Sequence, residues 1–498
     1  MSFRNYYEQL NKQKGLKAYA KKRIFNNLLK ELIKQEKESD RQKELINNQL
    51  KVITGQAEKL QEQDKKVQEI VKKLQEVNSK HQETAEKLQI VNKKRQELAE
   101  KLQEQDKVQN EQKQLLLSHE MLLKTLTYHV KLPKWQTVKV IQMVPGLSYG
   151  DAISNDVISL QKYLTEKGYN TGIYSPKIDN RLINSGVYYL PDMPVMQNED
   201  ILLYHYSQCP KPMEQILRNS NCRKIMIYHN ITPGTFYQEY HPEFAKMLGD
   251  RRTKLRTLTD VFDCCLADSE YNKSDLCREG YTCPIKVLPI VISFEDYKSM
   301  PDDTILKKYS QDGFTNVLFV GRIVPNKKIE DIIRAFSYYH IHINSKSRLF
   351  IVGSDAMGGT YASWLKSLVK ESKVMDHVLF TGHVSFAEIL SYYLLADVFL
   401  CMSEHEGFCV PLIEAMIFSV PIIAYGSTAV PETVRDAGII VKTKDPAEIA
   451  NQLNRVVTDE RLRKSLHELM QRRLKDFSWQ NTTVKFERYL ESIMKGEL

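Results

Sequence analysis

Two periodicities divide the chain. From residue 134 onward, short apolar runs alternate with longer segments that carry their apolar residues on one helical face. The runs are VKVIQMV, NTGIYS, DILLYHY, KIMIYHN, CCLADS and IKVLPI, then NVLFVG, RLFIVG, HVLFTG, VFLCM, PIIAYG and GIIV. Strand-length runs that alternate with amphipathic segments predict parallel sheets joined by crossover helices. The alternation comes twice, over about 140–292 and 316–442, and VISFEDYKSMPDDTILKKYSQDGF between them has no clear strand. The expected architecture is α/β: two Rossmann-like doubly wound domains, 136–300 and 310–475, facing a cleft that would hold a ligand.

Residues 37–127 carry a different period. They contain no proline, no aromatic residue and one glycine, Gly55. Four blocks of two heptads repeat: AEKLQEQDKKVQEI, VKKLQEVNSKHQET, AEKLQIVNKKRQEL and AEKLQEQDKVQNEQ. Leu60, Val67, Leu74, Leu88 and Leu102 share one heptad position, with Ile70, Val77, Val91 and Leu98 three residues on. This seam predicts a coiled coil, and with it self-association. His81, Thr84 and Arg95 interrupt the seam.

Composition changes the picture at one end only. The chain has 498 residues, room for two or three domains, and 27% charged residues, as in globular proteins. Its net charge is +9. Residues 1–35 hold nine Lys or Arg against Glu8 and Glu31, so seven of those nine charges sit at the N-terminus. Interleaved with Phe3, Tyr6, Tyr7, Tyr19, Phe25, Leu28 and Leu29, they make 1–36 a basic amphipathic segment suited to an anionic membrane surface, or a solvated lead-in to the coil. No apolar run reaches the roughly 20 residues of a spanning helix, and no signal peptide is visible. The eight cysteines lack any CxxC spacing, so they read as reduced thiols of a cytoplasmic protein with no metal site, and no nucleic-acid partner is expected.

Candidate chemistry collects in the second α/β run. NVLFVG ends at Gly321 and is followed by Arg322, Pro325, Asn326, Lys327 and Lys328, then by a helix burying Ile329, Ile332, Ile333 and Phe336. Strand, glycine, cation, turn, cation and helix form a layout for phosphate, since Arg offers a planar fork and Lys a mobile charge. Solvated loop cations would read the same way. In SEHEGFCVPLIEAM, residues 403–416, VFLCM precedes the loop and Pro411 suits a helix start. Gly407 permits close approach of a ligand, and the N–H groups of Gly407, Phe408 and Cys409 can face an anion. Glu406 in the loop and Glu414 in the helix's first turn or so can accept from sugar hydroxyls. A carboxylate near a helix N-terminus would explain Glu414 alone.

As a set, VGR with the lysine five residues on, FTGHV at 380–384, ADVFLCMSEHEGFCVPLIEAM and VPIIAYGSTAVPETV resemble the retaining family-four glycosyltransferases, of GT-B fold. The resemblance covers about 138–490. It implies that Glu406 contacts donor-sugar hydroxyls, Glu414 the nucleotide ribose, Arg322 and Lys327 the diphosphate, and His383 and Val384 the base. Lys328 departs from the family, where a glycine is usual, and adds a charge beside the pyrophosphate. In the first run VPGLSYGDAISND, with Gly146 and Gly150, stands in place of the family's glycine-rich loop without its paired glycines. His229 ends KIMIYH where relatives contact the donor sugar. Ser269 falls near the phosphate. Residues 476–498 resemble the family's closing helix, which packs back on the first domain. The implied activity is metal-free transfer of a hexose from a nucleotide-diphosphate sugar to a glycan or lipid-linked acceptor, as in surface polysaccharide synthesis, on the inner membrane face and with a possible partner enzyme. A sugar-phosphate synthase of the same fold, a phosphorylase, and a coiled-coil scaffold with a decayed sugar-binding domain are the alternatives.

Overall fold

The structure is a computed structural model, and it describes residues 138–497 except 184–185, 311 and 356–358. The basic segment and the heptads lie outside the described residues. Two parallel sheets organise what is described. The first is built from β1 (Lys139–Met143), β2 (Asn170–Ser175), β3 (Val187–Tyr189), β4 (Ile201–Tyr206), β5 (Arg223–Tyr228), β6 (Cys264–Ala267) and β7 (Ile285–Val287). Its helices are α1 (Ala152–Glu166), α2 (Lys211–Asn219), α3 (Pro242–Arg256) and α4 (Glu270–Arg278). The strand order is β3-β2-β1-β4-β5-β6-β7.

The stretch read as a strandless linker contains α5 (Asp303–Tyr309). Asp302 caps it through the Ile305 N–H and accepts nothing from the first sheet; its own N–H reaches the Ala387 carbonyl of the second half. The second sheet then runs through β8 (Thr315–Val320), α6 (Ile329–His342), β9 (Ser347–Val352), α7 (Thr360–Glu371), β10 (Val378–Gly382), α8 (Phe386–Leu395), β11 (Val398–Cys401), α9 (Val410–Ile417), β12 (Ile422–Tyr425), α10 (Val430–Val434) and β13 (Ile439–Val441). Helices α11 (Pro446–Thr458), α12 (Glu460–Leu474) and α13 (Trp479–Lys495) close the chain. The order is β10-β9-β8-β11-β12-β13. The alternation legible in the sequence is therefore the alternation of the fold. The short edge strand β3 was not foreseen, because three residues carry too little pattern.

Each sheet is buried on both faces, as crossover helices require. In the first, Ile141, Leu202, Tyr204 and Met226 lie in one apolar cluster, and Val140, Leu203, Ile225 and Ile227 in the other. Alternate residues of one strand feed opposite faces. Phe486, Leu490 and Ile493 of α13 belong to the second of these clusters, so the last helix closes the first half's core. Val324 of the second half sits in the first half's other cluster, and Tyr240 packs on the second half's core. The halves thus share packing, and the carboxyl ends of β1, β5, β8 and β11 carry the loops singled out by sequence. Among the described residues no helix is long and apolar enough to cross a membrane.

Candidate active site

The second half supplies a loop pinned at every link except where an anion could bind. After β11, the Glu404 N–H donates to the Asn326 carbonyl, and Asn326 Nδ2 donates to the His405 carbonyl at 3.0 Å. The Glu406 N–H donates to Thr428 Oγ1 at 2.8 Å, and Thr433 Oγ1 donates to the Phe408 carbonyl at 2.7 Å. Cys409 takes a left-handed conformation, φ 75°, and turns the chain into α9. The N–H groups of Gly407, Phe408 and Cys409 donate to no acceptor among the described residues. Gly407 has no room for a side chain: a Cβ there would stand 2.9 Å from Asn230 Cβ and 3.1 Å from the His229 carbonyl oxygen.

Two of the predicted residues meet directly. Lys327 Nζ lies 2.6 Å from Glu406 Oε1, with both side chains largely buried. Burial pulls the Lys327 pKa down, but the adjacent Glu406 carboxylate outweighs it and the ammonium is held above its ordinary value. Arg322 is exposed and forms no ion pair among the described residues. Tyr237 of the first half lies within the field of Arg322, Lys327 and Glu406, and its hydroxyl donates to Asn326 Oδ1 at 3.0 Å. Sequence reading missed Tyr237 and named Asn326 only as part of the turn between the two cations. A tyrosine in a turn and an asparagine in PNKK carry no periodic signal.

Glu414 is the fifth residue of α9, one residue deeper than a helix starting at Pro411 would place it. Its two oxygens accept from Tyr297 at 2.8 Å and Tyr393 at 2.7 Å. Burial raises its pKa, and the two hydroxyls draw it back without cancelling the shift. Lys328 adopts the left-handed region, φ 51° and ψ 48°, which is where a glycine costs nothing. Its ammonium stands 3.5 Å from Glu330 and 3.6 Å from Glu404, so the extra charge is drawn toward carboxylates of its own half. His383, just past β10, is exposed, and Val384 is partly buried beside it. Gly321 closes β8 with its N–H on the Val352 carbonyl.

The first half presents finished contacts. Gly146 and Gly150 lie in the loop between β1 and α1, where Asp151 caps the helix and Gly150 takes φ 77°. Ser269 caps α4 and donates its hydroxyl to the Gly407 carbonyl at 2.7 Å, so that proton is committed across the cleft. The Glu270 N–H donates to both oxygens of Glu432, at 3.0 and 2.9 Å, a second bridge between the halves.

His229 departs most from expectation. The notion of a histidine side chain lining an open cleft does not fit, because the ring is 1% exposed and both nitrogens are engaged. Nδ1 meets Asp268 Oδ2 at 3.0 Å, and Nε2 meets His205 Nδ1 at 3.0 Å. Burial opposes charge on His229, but the Asp268 carboxylate raises its pKa above the ordinary histidine value. His205 is pushed well below that value by burial, with the neighbouring His229 adding to the effect. The neighbouring His405, ahead of Glu406, is pushed down to about 4 by burial, and its Nε2 has no hydrogen-bond partner among the described residues.

Two clusters could in principle hold a metal ion. Asp156, His205 and His229 bring ligand atoms within 4.8 Å of one another, as do Cys401, Glu406 and Cys409. In the first, the two imidazole nitrogens already face each other at hydrogen-bond distance. In the second, Glu406 is held by Lys327. All eight cysteines are free thiols. A cavity of about 380 Å³ between the halves is lined by Asp268, Ser269, Glu432, Arg435, Asn481 and Lys485, and by none of Arg322, Lys327, Glu406 or Glu414. Empty volume is therefore not what marks the cation–carboxylate site.

The second half's sequence and the overall fold resemble known proteins. Residues 302–473 match the family described as glycosyl transferases group 1. The chain is 24% identical over 274 residues to the Escherichia coli O-antigen chain mannosyltransferase B, an alignment covering 53% of this chain and 68% of that one. It is 28% identical over 225 residues to the GDP-mannose-dependent alpha-(1-6)-phosphatidylinositol monomannoside mannosyltransferase of Mycobacterium tuberculosis, covering 43% of this chain and 57% of that one. Among solved structures, sucrose-phosphate synthase from Thermosynechococcus elongatus superposes with a TM-score of 0.59 at 18% identity, over 72% of this chain and all of that one. Anabaena HepE in complex with UDP and glucose gives a TM-score of 0.54 at 14% identity, over 71% and 100%. The described residues have a GT-B fold, and residues 302–473 match the glycosyl transferases group 1 model, which supports a glycosyltransferase.

Proposed function

We propose that the protein transfers a hexose, with retention at the anomeric carbon, from a nucleoside-diphosphate sugar to a glycan or lipid-linked acceptor. The observation that carries this reading is the Lys327–Glu406 pair at 2.6 Å beside the exposed Arg322 and the unused N–H groups of 407–409. As it stands, the lysine neutralises the glutamate. A diphosphate would draw Lys327 away, join it to Arg322 and the loop amides, and free Glu406 to accept from sugar hydroxyls. Charge grows on the leaving diphosphate as the glycosidic bond breaks, and fixed donors aimed there lower the barrier. An oxygen of that diphosphate takes the acceptor's proton on the same face. Glu414, set between Tyr297 and Tyr393, would bind the ribose. The halves already touch through Tyr237–Asn326 and Ser269–Gly407, contacts that would keep water from the bond being broken.

The two relatives named for mannose transfer make GDP-mannose the first donor to try. Calorimetry with GDP-, UDP- and dTDP-sugars on the native chain, Glu406→Gln and Arg322→Ala tests the reading. One nucleotide should bind natively and bind at least tenfold more weakly to both variants. Binding of none by the native chain would favour a scaffold in which the sugar site has decayed.

A further inference from the structure

The polar side chains behind His229 form a line that can be proton-counted from a backbone atom. Gln142 Nε2 donates to the Val157 carbonyl at 3.1 Å, and a carbonyl can only accept. That fixes the amide, so its Oε1 is the atom 2.9 Å from His205 Nε2. His205 Nε2 must then carry a proton. His205 Nδ1, in a ring that burial keeps neutral, is left as an acceptor, and it faces His229 Nε2 at 3.0 Å. His229 Nε2 must carry a proton in turn. The last link is His229 Nδ1 to Asp268 Oδ2 at 3.0 Å, where a carboxylate accepts.

Every link points one way. With Asp268 ionised, the count ends with two protons on His229 and one on His205; burial raises the Asp268 pKa, and the neighbouring His229 holds it back. The ring geometry agrees. The centroids are 5.2 Å apart and the planes 9° from parallel, as expected when a 3.0 Å N···N contact joins rings set end to end in nearly one plane. That arrangement suits a proton between the rings and leaves no space there for a metal ion. Asp156 and Asp151, from the segment after β1, are the remaining carboxyl groups close to His229, and burial pushes Asp156 up to about 7. Asp156 is turned to the Val291 N–H at 2.7 Å. No Lys or Arg forms an ion pair with Asp268 or Asp156 among the described residues, so His229 is the cation Asp268 has.

We propose that His205, oriented by Gln142, is a positioning residue that keeps His229 doubly protonated, so that the wall opposite Gly407 carries a fixed imidazolium. Resting on the glycosyltransferase reading above, this charge assists departure of the diphosphate from the side opposite Arg322 and Lys327. Its place fits, since the His229 carbonyl already lies against Gly407. His205 acts only through His229 and touches no substrate.

The test has two arms. In the full chain labelled with nitrogen-15 histidine, nuclear magnetic resonance at pH 7.5 should show both ring nitrogens of His229 protonated and His205 protonated at Nε2 alone, with assignments from His205→Phe. A singly protonated His229 at that pH overturns the proposal, whatever the enzyme's activity. In the second arm, nucleoside diphosphate release from GDP-mannose and UDP-glucose is followed against pH. His205→Phe removes the acceptor for His229 Nε2, so the imidazolium should lose its proton nearer the ordinary histidine pKa of about 6.5. The loss should approach about thirtyfold at pH 8 and stay below about 1.5-fold at pH 6, and His205→Gln, which keeps an acceptor, should recover most of it. Equal loss at both pH values would mean that His205 merely packs, and would overturn the assignment. If the native chain releases diphosphate from neither sugar nucleotide, the transferase reading fails, and the resonance arm still decides the proton count.

Discussion

The two walls of the cleft are built on opposite principles. On the first half, polar groups are spent: Ser269 on the Gly407 carbonyl, His229 on Asp268 and His205, and the α4 N-terminus on Glu432. On the second half, Arg322 has no ion pair among the described residues, three consecutive amides have no acceptor, and Lys327 holds a partner it could exchange. A wall whose donors are already engaged is preorganised and has little left to offer an anion. A wall with donors to spare is where an anion is stabilised. The difference separates residues that set geometry from residues that do the binding.

Lys327 offers the hardest way to break that comparison. Lys327→Met leaves the buried Glu406 carboxylate alone, and removing one partner of a buried pair costs about 3 kcal/mol of stability. Turnover should fall by about 10³-fold as well. The double variant Lys327→Met with Glu406→Gln should regain most of the stability and none of the turnover. Stability by denaturant titration and diphosphate release by coupled assay separate the two effects. If the double variant regained turnover, the pair would be structural and the second wall no different from the first.

Much of this was legible beforehand, for a physical reason. Strand and helix periods repeat over many residues, so the doubly wound order could be read. Loop motifs such as SEHEGFC and VGRIVPNKK keep their chemistry local, so Glu406 and Lys327 could be named together. His205 could not. It sits mid-strand in DILLYHY, where period-2 patterning assigns a buried position and says nothing of what it meets. Gln142 and Asp268 are hidden alike, since their partners come from other strands of the same sheet. His229 was named from its strand end, and the contacts its buried ring makes with Asp268 and His205 carry no signal in the sequence.

A second prediction uses His405, which touches both walls. Its ring lies between Phe236 and Tyr271 of the first half, and its carbonyl accepts from Asn326. Its folded pKa is depressed to about 4 from 6.5 by burial. Below pH 6.5 the unfolded chain therefore binds a proton that the folded chain refuses, and stability falls as pH drops toward 4. Between pH 6.5 and 5 this amounts to about 2 kcal/mol at about 1.4 kcal/mol per pH unit. His405→Phe should reduce the pH slope of unfolding free energy by close to one proton over that window. An unchanged slope would place the ring in water and undo the contact between the walls.

The smallest effect concerns Lys328, and it sharpens where the second wall's binding surface ends. Its charge looked, in sequence, like an addition to the phosphate site. In the structure it is turned toward Glu330 and Glu404, while Lys327 one residue earlier holds Glu406. Lys328→Gly removes a left-handed strain of about 1 kcal/mol, and the greater freedom of glycine in the unfolded chain offsets most of it. Stability should therefore move by less than about 0.5 kcal/mol. Affinity for the nucleotide sugar, measured by calorimetry, should stay within about twofold, because two carboxylates already share that ammonium. A tenfold loss would mean that Lys328 swings to the diphosphate when donor arrives. The open wall would then extend to Lys328 itself.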